Sequence, residues 1–216
     1  MGHKVGMTST EGIYVDGKCI DKGDDTGYNS TKTILENKDV EVAVLEVARG
    51  GLIRKGLAYD VADVAVITNI TEDHLGIDDV NDIEQLAFVK ALVGEAVKED
   101  GYVVINADDK WSKNILSRFK SKKIFFSKDS DNPLIIENIK SGGIAIYIKD
   151  NTLTVMNNNR EYKILNVNNI PITLNGVLDY NLENVMAACA ALIGLEIDYC
   201  MIAKGFKSFK LNDSCN

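Results

Sequence analysis

The segment VITNITEDHLG, residues 66–76, runs from an apolar stretch into side chains that can bind a metal ion or a phosphate group. It contains Asn69, Glu72, Asp73 and His74, and His74 is one of only 2 histidines in the 216-residue chain. The ring of His74 can bind a divalent ion or orient a phosphate, and Asp73 can hold that ring or a metal-bound water. The alternative is an ordinary polar turn, in which Thr71 or Asp73 caps the next helix and His74 lies at the surface.

A second candidate is Glu46, in the segment AVLEVARGGLIRKGL, residues 43–57. A carboxylate at the end of a buried apolar strand is costly unless it is paired or bound to a metal. Arg49 supplies a cation, and Gly50 and Gly51 form a flexible turn that lets backbone N–H groups approach a ligand. The alternative is a structural contact between Glu46 and Arg49 in a loop.

The strands before Glu46 and His74 are expected to belong to one parallel sheet, which would bring their carboxyl ends together. Ligands of α/β proteins bind outside these strand ends. Oxygen-rich side chains there suit Mg²⁺. A third strand ends with Asn106, Asp108 and Asp109, for which a helix cap is the simpler explanation.

Three further residues are candidates only if other observations support them. Lys90 lies within the apolar face of LAFVKALV, where most lysines extend their ammonium groups to water. Asn181 and Asn184 lie three residues apart on one side of a predicted helix start. They are either helix caps or side chains that recognise a base through their amides.

The elements that must position these residues alternate between strand and helix. EVAVLEV (41–47) and DVAVITNI (63–70) have the near-continuous apolar character of strands buried on both faces of a parallel sheet. Residues 82–99 are predicted to form a helix that begins at Asp82 and stops before Gly101. Further predicted elements are a strand at 102–107, a helix at 108–119 and a strand at 122–127.

The second half of the chain has a different pattern. Alternation with period two, broken at KDN and NNN, predicts a small antiparallel meander over about 134–174. Helices are predicted at 179–195 and 198–209. The fold class is therefore α/β, with a mostly parallel sheet, helices on both faces and an attached meander, forming one domain over 1–210.

Composition excludes several classes of protein. The net charge is −8 and no basic stripe is present, which argues against a nucleic-acid partner. No apolar run approaches the roughly 20 residues that cross a bilayer, and the N-terminus lacks the apolar core of a signal peptide. The 4 cysteines are scattered and form no CxxC pair, as expected for reduced thiols in a cytoplasmic protein.

The run VLEVARGGLIRKGLAYDVADVAVITNITEDHLG (44–76) resembles the central ATPase domain of the Mur ligase superfamily. Further matching motifs follow the expected order along essentially the whole chain: GMTSTEGIYVDG, GDDTG, VKALV, INADD and N-x-x-N-x-x-AA. The resemblance implies a P-loop type fold. It also implies that ATP activates a carboxylate as an acyl phosphate, which an amine then attacks.

The resemblance also implies roles for the candidate residues. Glu46 and His74 would help to hold Mg²⁺ against the nucleotide phosphates. Lys90 matches a lysine that is carbamylated in many members, where the added carboxylate completes a metal site. The nucleotide would lie near four further residues, Asn106, Asp109, Asn181 and Asn184.

The chain departs from the family pattern in one large respect. The phosphate loop G-T-N-G-K-T, which the family places after its first strand, is absent from these residues. We therefore expect a fragment with little activity by itself, in which 211–216 begin a further ligase domain.

The best-matching branch implies a full-length, homo-oligomeric enzyme that joins arginine to an aspartate-rich peptide acceptor. The alternatives are a poly-γ-glutamate synthase, a peptidoglycan precursor ligase, or a binding domain of the same fold.

Overall fold

The computed structural model describes residues 2–72, 76, 80–174 and 178–209. The chain forms two compact units: the first consists of Met1–Asp60 and His74–Val93, and the second of Val61–Asp73 and Gly94–Asn216. The single domain that the sequence predicts over 1–210 stays a prediction, and no linker-like segment of the sequence marks the boundary between the units. The predicted boundary after residue 210 lies outside the described residues.

The first unit contains a four-stranded sheet with the order β3-β2-β1-β4. Two antiparallel hairpins join β1, β2 and β3, whereas β1 pairs with β4 in parallel. These two hairpins are absent from the sequence prediction. The elements are β1 (Val5–Ser9), β2 (Gly12–Val15), β3 (Lys18–Lys22), α1 (Tyr28–Leu35), β4 (Val42–Leu45) and α2 (Arg49–Lys55).

Helix α1 connects the hairpins to β4 and packs closely on the sheet. Its residue Ile34 is completely buried, and Gly6 of β1 faces it. A Cβ atom at Gly6 would lie 2.8 Å from methyl groups of both Ile34 and Val40. A residue without a side chain is therefore required for this close approach of helix and strand.

The second unit contains a six-stranded sheet with the order β10-β9-β8-β7-β6-β5. Strands β5 to β8 are parallel, and β8 to β10 form the antiparallel meander. The strands are β5 (Ala62–Ile67), β6 (Val97–Asn106), β7 (Lys122–Ser127), β8 (Ile144–Lys149), β9 (Thr152–Asn157) and β10 (Arg160–Asn166).

The meander confirms the predicted hairpin turns. Asp150 and Asn151 have φ values of 47° and 54°, and Asn158 and Asn159 have values of 50° and 59°. Two consecutive residues with positive φ in a two-residue loop form a type I′ turn, whose twist matches that of the strands. Asn and Asp tolerate this left-handed backbone better than most residues.

The remaining helices are α3 (Ile83–Glu95), α4 (Ser112–Ile115), α5 (Pro133–Lys140), α6 (Asp179–Gly194) and α7 (Tyr199–Ser208). Helix α6 covers one face of the six-stranded sheet, where Val104, Phe126 and Ile146 share a core with Met186. Helix α5 packs against β7 and β8, and its buried residues lie outside that core. No helix in the described ranges is long and apolar enough to cross a membrane.

The prediction that the meander begins at about residue 134 is wrong. Residues 133–140 form α5, and the first strand of the meander, β8, begins at Ile144. Asn132 caps this helix by accepting a hydrogen bond from the Leu134 N–H at 2.9 Å, and Pro133 follows the cap. A capping Asn followed by Pro is a helix-start signal. The apolar run PLII concealed it, because that run also suits a strand.

The predicted helix over 82–99 is too long. Its start is confirmed, because the Asp82 carboxylate accepts a hydrogen bond from the Gln85 N–H at 2.8 Å. The helix ends at Glu95 and β6 begins at Val97, so Gly101 lies inside a strand and is not a helix stop. A Cβ at Gly101 would lie 2.4 Å from the carbonyl oxygen of Asp63, which explains why glycine suits this position in the sheet. The predicted helix over 108–119 is likewise reduced to α4 and a 3₁₀ turn at 116–118.

The expectation that β4 and β5 share a sheet is wrong. Strand β4 is at the edge of the four-stranded sheet and β5 is at the edge of the six-stranded sheet. Edge positions leave apolar side chains accessible, and Val44 and Val66 are 52% and 37% exposed. The predicted burial of both strands on both faces is therefore also wrong, although the mostly parallel α/β class is confirmed.

Candidate functional site

Glu46 lies at the exit of β4, where the parallel pairing with β1 fixes its backbone. Its N–H donates to the carbonyl oxygen of Thr8 at 3.2 Å. Its carboxylate oxygen Oε2 accepts a hydrogen bond from the Thr10 N–H at 3.2 Å. The residue is exposed, so the cost of burying a carboxylate does not apply here. One oxygen is held by the backbone, and the carboxylate is open to a ligand from solvent.

Arg49 and the two glycines that follow it form the first turn of α2 rather than a flexible turn. The helix begins after Ala48, whose backbone is extended. Gly51 lies close to Gly27, since a Cβ at Gly51 would be 3.5 Å from the Gly27 Cα. This distance is an ordinary van der Waals contact, so packing does not require glycine at position 51, and the predicted flexible turn over Arg49–Gly51 is corrected to a helix.

Lys90 occupies the middle of α3 and is half-buried. It lies three and four residues after Ala87 and Leu86, which are 2% and 1% exposed. Its stem therefore continues a buried stripe, as the sequence predicted. Asp73 and His74 lie outside the described residues, so their roles stay predictions.

The ends of β5 and β6 meet through a network of side chains. The Asn106 amide nitrogen donates to Asn69 Oδ1 at 2.9 Å, and the Asn106 oxygen accepts from the Asp108 N–H at 2.9 Å. Asp109 bridges the same two strand ends, because one carboxylate oxygen accepts from the Ile70 N–H and the other from the Trp111 N–H. Asn106 is 2% exposed, so its side chain mainly stabilises the carboxyl ends of β5 and β6.

Asp108 ties β6 to β7 and to the start of α5. Its Oδ1 accepts hydrogen bonds from Ser127 Oγ at 2.5 Å and from the Asn132 amide at 3.1 Å. Its Oδ2 accepts from the Lys128 N–H at 2.8 Å. The sequence noted Asp108 only as a helix cap, whereas the structure makes it a cross-link between neighbouring strand ends.

Helix α6 reaches the same edge of the sheet. Lys128, which follows β7, forms a 2.8 Å ion pair with Glu183 in the second turn of α6. Asn181 donates from its amide to the carbonyl oxygen of Ile172 at 2.7 Å, and Asn184 is exposed. The N-cap Leu178 has no side-chain capping bond. Asn181 thus anchors the 3₁₀ turn Pro171–Thr173, while the exposed amide of Asn184 is accessible to a ligand.

The structure therefore brings Asn106 and Asp109 together at the carboxyl edge of the six-stranded sheet and places Asn181 on the helix that reaches this edge. Sequence reasoning missed three residues that assemble the edge: Ser127, Asn132 and Glu183. Only Asn132 left a recognisable signal, its position before Pro133. The contacts of the other two depend on elements far apart in the chain.

The possible metal ligands among the described residues suit Mg²⁺, which needs few protein ligands, better than a metal that is bound by protein side chains alone. No group of three or more His, Cys, Asp or Glu side chains able to hold a metal occurs among these residues. Mg²⁺ keeps several waters and is usually bound by one or two carboxylates together with substrate phosphates. The exposed carboxylate of Glu46 fits the role of one such ligand.

The three cysteines that the structure describes differ in accessibility. Cys189 is completely buried in α6, and burial raises the pKa of its thiol to about 12, which leaves the thiolate scarce at neutral pH. Cys19 and Cys200 are exposed free thiols, and Cys215 lies outside the described residues.

We expect Asp108→Ala to lower the free energy of unfolding by about 1–2 kcal/mol, because the donors on Ser127, Lys128 and Asn132 lose their shared acceptor. Asp131→Ala is the control, since this exposed residue lies in the loop that contains Lys128 and Asn132 and its side chain accepts no hydrogen bond in the described structure. Urea denaturation followed by circular dichroism measures both values. Equal midpoints for the two variants would show that Asp108 does not cross-link the edge.

The sequence was compared with models of known protein families, and one of them matches most of the chain. The Mur ligase middle domain matches residues 1–192, and the chain belongs to that family. The resemblance inferred from the motifs is thereby confirmed.

Two cyanophycin synthetases are similar to the chain over most of its length. That of Geminocystis herdmanii is 41% identical over 208 residues, which are 96% of this chain and 24% of that protein. That of Synechocystis is 39% identical with the same coverage. The chain thus spans about a quarter of the length of these relatives.

More distant similarities agree with the family. UDP-N-acetylmuramoylalanine--D-glutamate ligase of Thermoanaerobacter pseudethanolicus is 29% identical over 186 residues, covering 85% of this chain and 37% of that protein. The crystal structure of MurF from Acinetobacter baumannii superimposes with a TM-score of 0.56 at 17% identity, covering 81% of this chain and 35% of MurF. At this identity the superposition establishes a shared fold.

Proposed function

We propose that this chain is the central domain of an ATP-dependent ligase that joins arginine to the β-carboxylate of a poly-aspartate chain. The observation that carries the proposal is the 41% identity to a cyanophycin synthetase over 96% of the chain. The match includes the segments that contain Glu46, Lys90 and Asn106.

The proposed reaction has two steps. The β-carboxylate of the acceptor attacks the γ-phosphorus of ATP, which forms an acyl phosphate and releases ADP. The α-amine of arginine then attacks the acyl carbon, forms the amide bond and expels inorganic phosphate. The α-amine is the nucleophile because the guanidinium stays protonated and is a poor one.

Phosphoryl transfer depends on positioning and on neutralising charge, so the protein must hold metals and cations in place. We assign Glu46 and His74 to Mg²⁺ and the nucleotide phosphates. Mg²⁺, when bound, neutralises charge on the phosphoryl oxygens. The exposed, backbone-anchored carboxylate of Glu46 supports its assignment, whereas that of His74 rests on its motif. Lys90, as its carbamate, would add a further carboxylate ligand.

We assign the carboxyl edge of the six-stranded sheet to the nucleotide. Asn106 and Asp109 hold the ends of β5 and β6 in register, and Asn181 fixes the turn before α6. Asn184 offers an exposed amide, which suits recognition of the donors and acceptors on an adenine edge. We further propose that the 216 residues alone bind Mg-ATP weakly, because they contain no phosphate loop.

The amine substrate is tested by competition. The complete ligase is supplied with ATP, an aspartate-rich peptide and an equimolar mixture of arginine, lysine, glutamate and diaminopimelate. We expect preferential incorporation of arginine, linked through its α-nitrogen, with ADP released in step. Mass spectrometry of the product identifies the amine and the linked atom.

A peptidoglycan precursor ligase is the second candidate, favoured by the 29% identity to a muramoylalanine–glutamate ligase. Preferential incorporation of glutamate or diaminopimelate would contradict arginine as the substrate and leave the ATP-dependent mechanism intact. Glutamate would also agree with a poly-γ-glutamate synthase. Absence of ADP release with every amine would favour a binding domain that keeps the fold without the reaction.

A further inference from the structure

A cavity of about 730 Å³ lies at the edge of the six-stranded sheet where the parallel strands begin. It is lined by Lys122 and Ile144, at the starts of β7 and β8, and by Tyr102 of β6, which pairs with Lys122. The proposed nucleotide residues lie at the opposite edge, after the strands end. Its volume is within the range of roughly 300–1,000 Å³ that is typical of small-molecule sites. The cavity therefore has the size of a binding site. It contains none of the residues that we assign to the nucleotide or to Mg²⁺.

Two lysines, Lys122 and Lys123, line the cavity. Lys123 Nζ donates to the carbonyl oxygens of Phe119 and Ser121, at 3.0 and 3.3 Å, which fixes the half-buried ammonium group in place. Lys122 Nζ lies 5.4 Å from the centre of the Tyr102 ring. Neither lysine forms an ion pair with a carboxylate within the part of the chain that the structure describes.

A buried hydroxyl adjoins these lysines. Ser121 lines the cavity, is 2% exposed, and its Oγ has no hydrogen-bond partner in the structure. Buried polar atoms in folded proteins nearly always have a partner, so this hydroxyl is an exception among the described residues.

Two acidic residues also line the cavity. Glu196 and Asp198 line it, in the connection between α6 and α7. Asp198 uses one carboxylate oxygen, Oδ1, to cap α7, by accepting from the Cys200 N–H at 2.9 Å. The C-terminal end of α6 also points its partial negative charge toward this connection. A cation is thus favoured beside this connection and an anion beside the lysines.

Aromatic and amide groups complete the walls. The hydroxyl of Tyr199 accepts a hydrogen bond from the Asn157 amide at 3.0 Å, and its ring packs against Tyr162 at 4.8 Å between centroids. The ring is therefore held in place. Aromatic faces attract the planar guanidinium group of arginine, which also forms paired hydrogen bonds with carboxylates.

We propose that this cavity binds an arginine-bearing unit of the ligase product, with its carboxylate toward Lys122 and Lys123 and its guanidinium toward Glu196 and Asp198. The ligand assignment rests on the proposed function. The proposed reaction consumes the acceptor β-carboxylate and the arginine α-amine, so every product unit keeps one carboxylate and one guanidinium. The cavity displays the complementary pair of charges, and a docked product unit would keep the polymer on the enzyme between additions.

The test uses β-aspartyl-arginine as the probe and the 216-residue chain as the protein. We expect the probe to shift the amide resonances of residues 121–123 and 196–198 in heteronuclear NMR spectra. Calorimetric titration should show that Lys123→Met and Glu196→Gln each raise the dissociation constant by about tenfold or more, the effect of losing one charge-assisted hydrogen bond. Lys18→Met, which removes an exposed cation on β3, should leave it unchanged.

Unchanged melting temperatures establish that the variants fold, and only folded variants are compared. The proposal is overturned if the probe binds no more tightly than about 10 mM, or if Lys18→Met weakens binding as much as Lys123→Met. Loss of affinity in Lys123→Met but not in Glu196→Gln, or equal shifts with inorganic phosphate, would show a simple anion site instead. Binding at the cavity by a protein that incorporates glutamate would overturn the proposed substrate and leave the zwitterion site standing.

Discussion

Replacing Glu46 by glutamine in the complete ligase is expected to lower kcat by about a hundredfold or more, the typical cost of removing one preorganised electrostatic stabiliser of a transition state. Glutamine preserves the shape of the side chain and can still accept the hydrogen bond from the Thr10 N–H. It lacks the negative charge that we assign to Mg²⁺. Because Glu46 is exposed, the melting temperature should change little.

The measurement is ADP release at saturating ATP and Mg²⁺, with the melting temperature recorded for each variant. Glu36→Gln is the matched control, since Glu36 forms only an exposed ion pair with Lys32 at the end of α1. His74→Ala should reduce kcat to a similar extent if it shares the same metal and phosphates. Near-normal turnover in folded Glu46→Gln would show that this carboxylate serves the turn after β4 and not the metal.

Lys90→Ala is the second change with a large expected effect, again a loss of about a hundredfold or more in kcat. The proposed carbamate supplies a carboxylate at the end of a long stem, so alanine removes the metal ligand together with the stem. A small carboxylic acid added to the assay can occupy the space and supply the missing oxygens. We therefore expect acetate or formate to restore part of the lost turnover.

Chemical rescue separates a carboxylate role from a packing role. Lys90 is half-buried beside Leu86, and loss of its stem alone would lower stability without any response to added acid. Lys140→Ala, at the exposed end of α5, is the control and should lose no activity. A rate loss in Lys90→Ala that neither acetate nor formate reverses would count against the carbamate.

The residues of the candidate site could be proposed from the sequence, but most of their contacts could not. Glu46, Lys90, Asn106 and Asn181 stand out by type and by order along the chain. Their contacts do not, because the acceptor of the Asn181 amide and the donors to Asp108 come from segments that the chain must first bring together. The motif alone predicts that Asn106 lies near the nucleotide, and it does not reveal that the Asn106 amide forms hydrogen bonds with Asn69 and Asp108.

The sequence alone determined the features that depend on neighbouring residues. The type I′ turns at 150–151 and 158–159 follow from the backbone preferences of Asn and Asp, and the start of α3 from the capping carboxylate of Asp82. The alternation of strand and helix predicted the α/β class, and the motifs identified the family. These signals are local, so they survive without knowledge of the fold.

Only the tertiary structure decided which strands pair. The apolar runs at 41–47 and 63–70 look alike, yet β4 joins the hairpins of the first unit and β5 joins β6 in the second. An apolar run has the same composition at the centre of a sheet and at its edge, and the partner is fixed by residues distant in sequence. For the same reason the cavity at the strand starts was invisible in the sequence: Lys123 and Glu196 lie 73 positions apart, and they line one space because β7 and the end of α6 pack together.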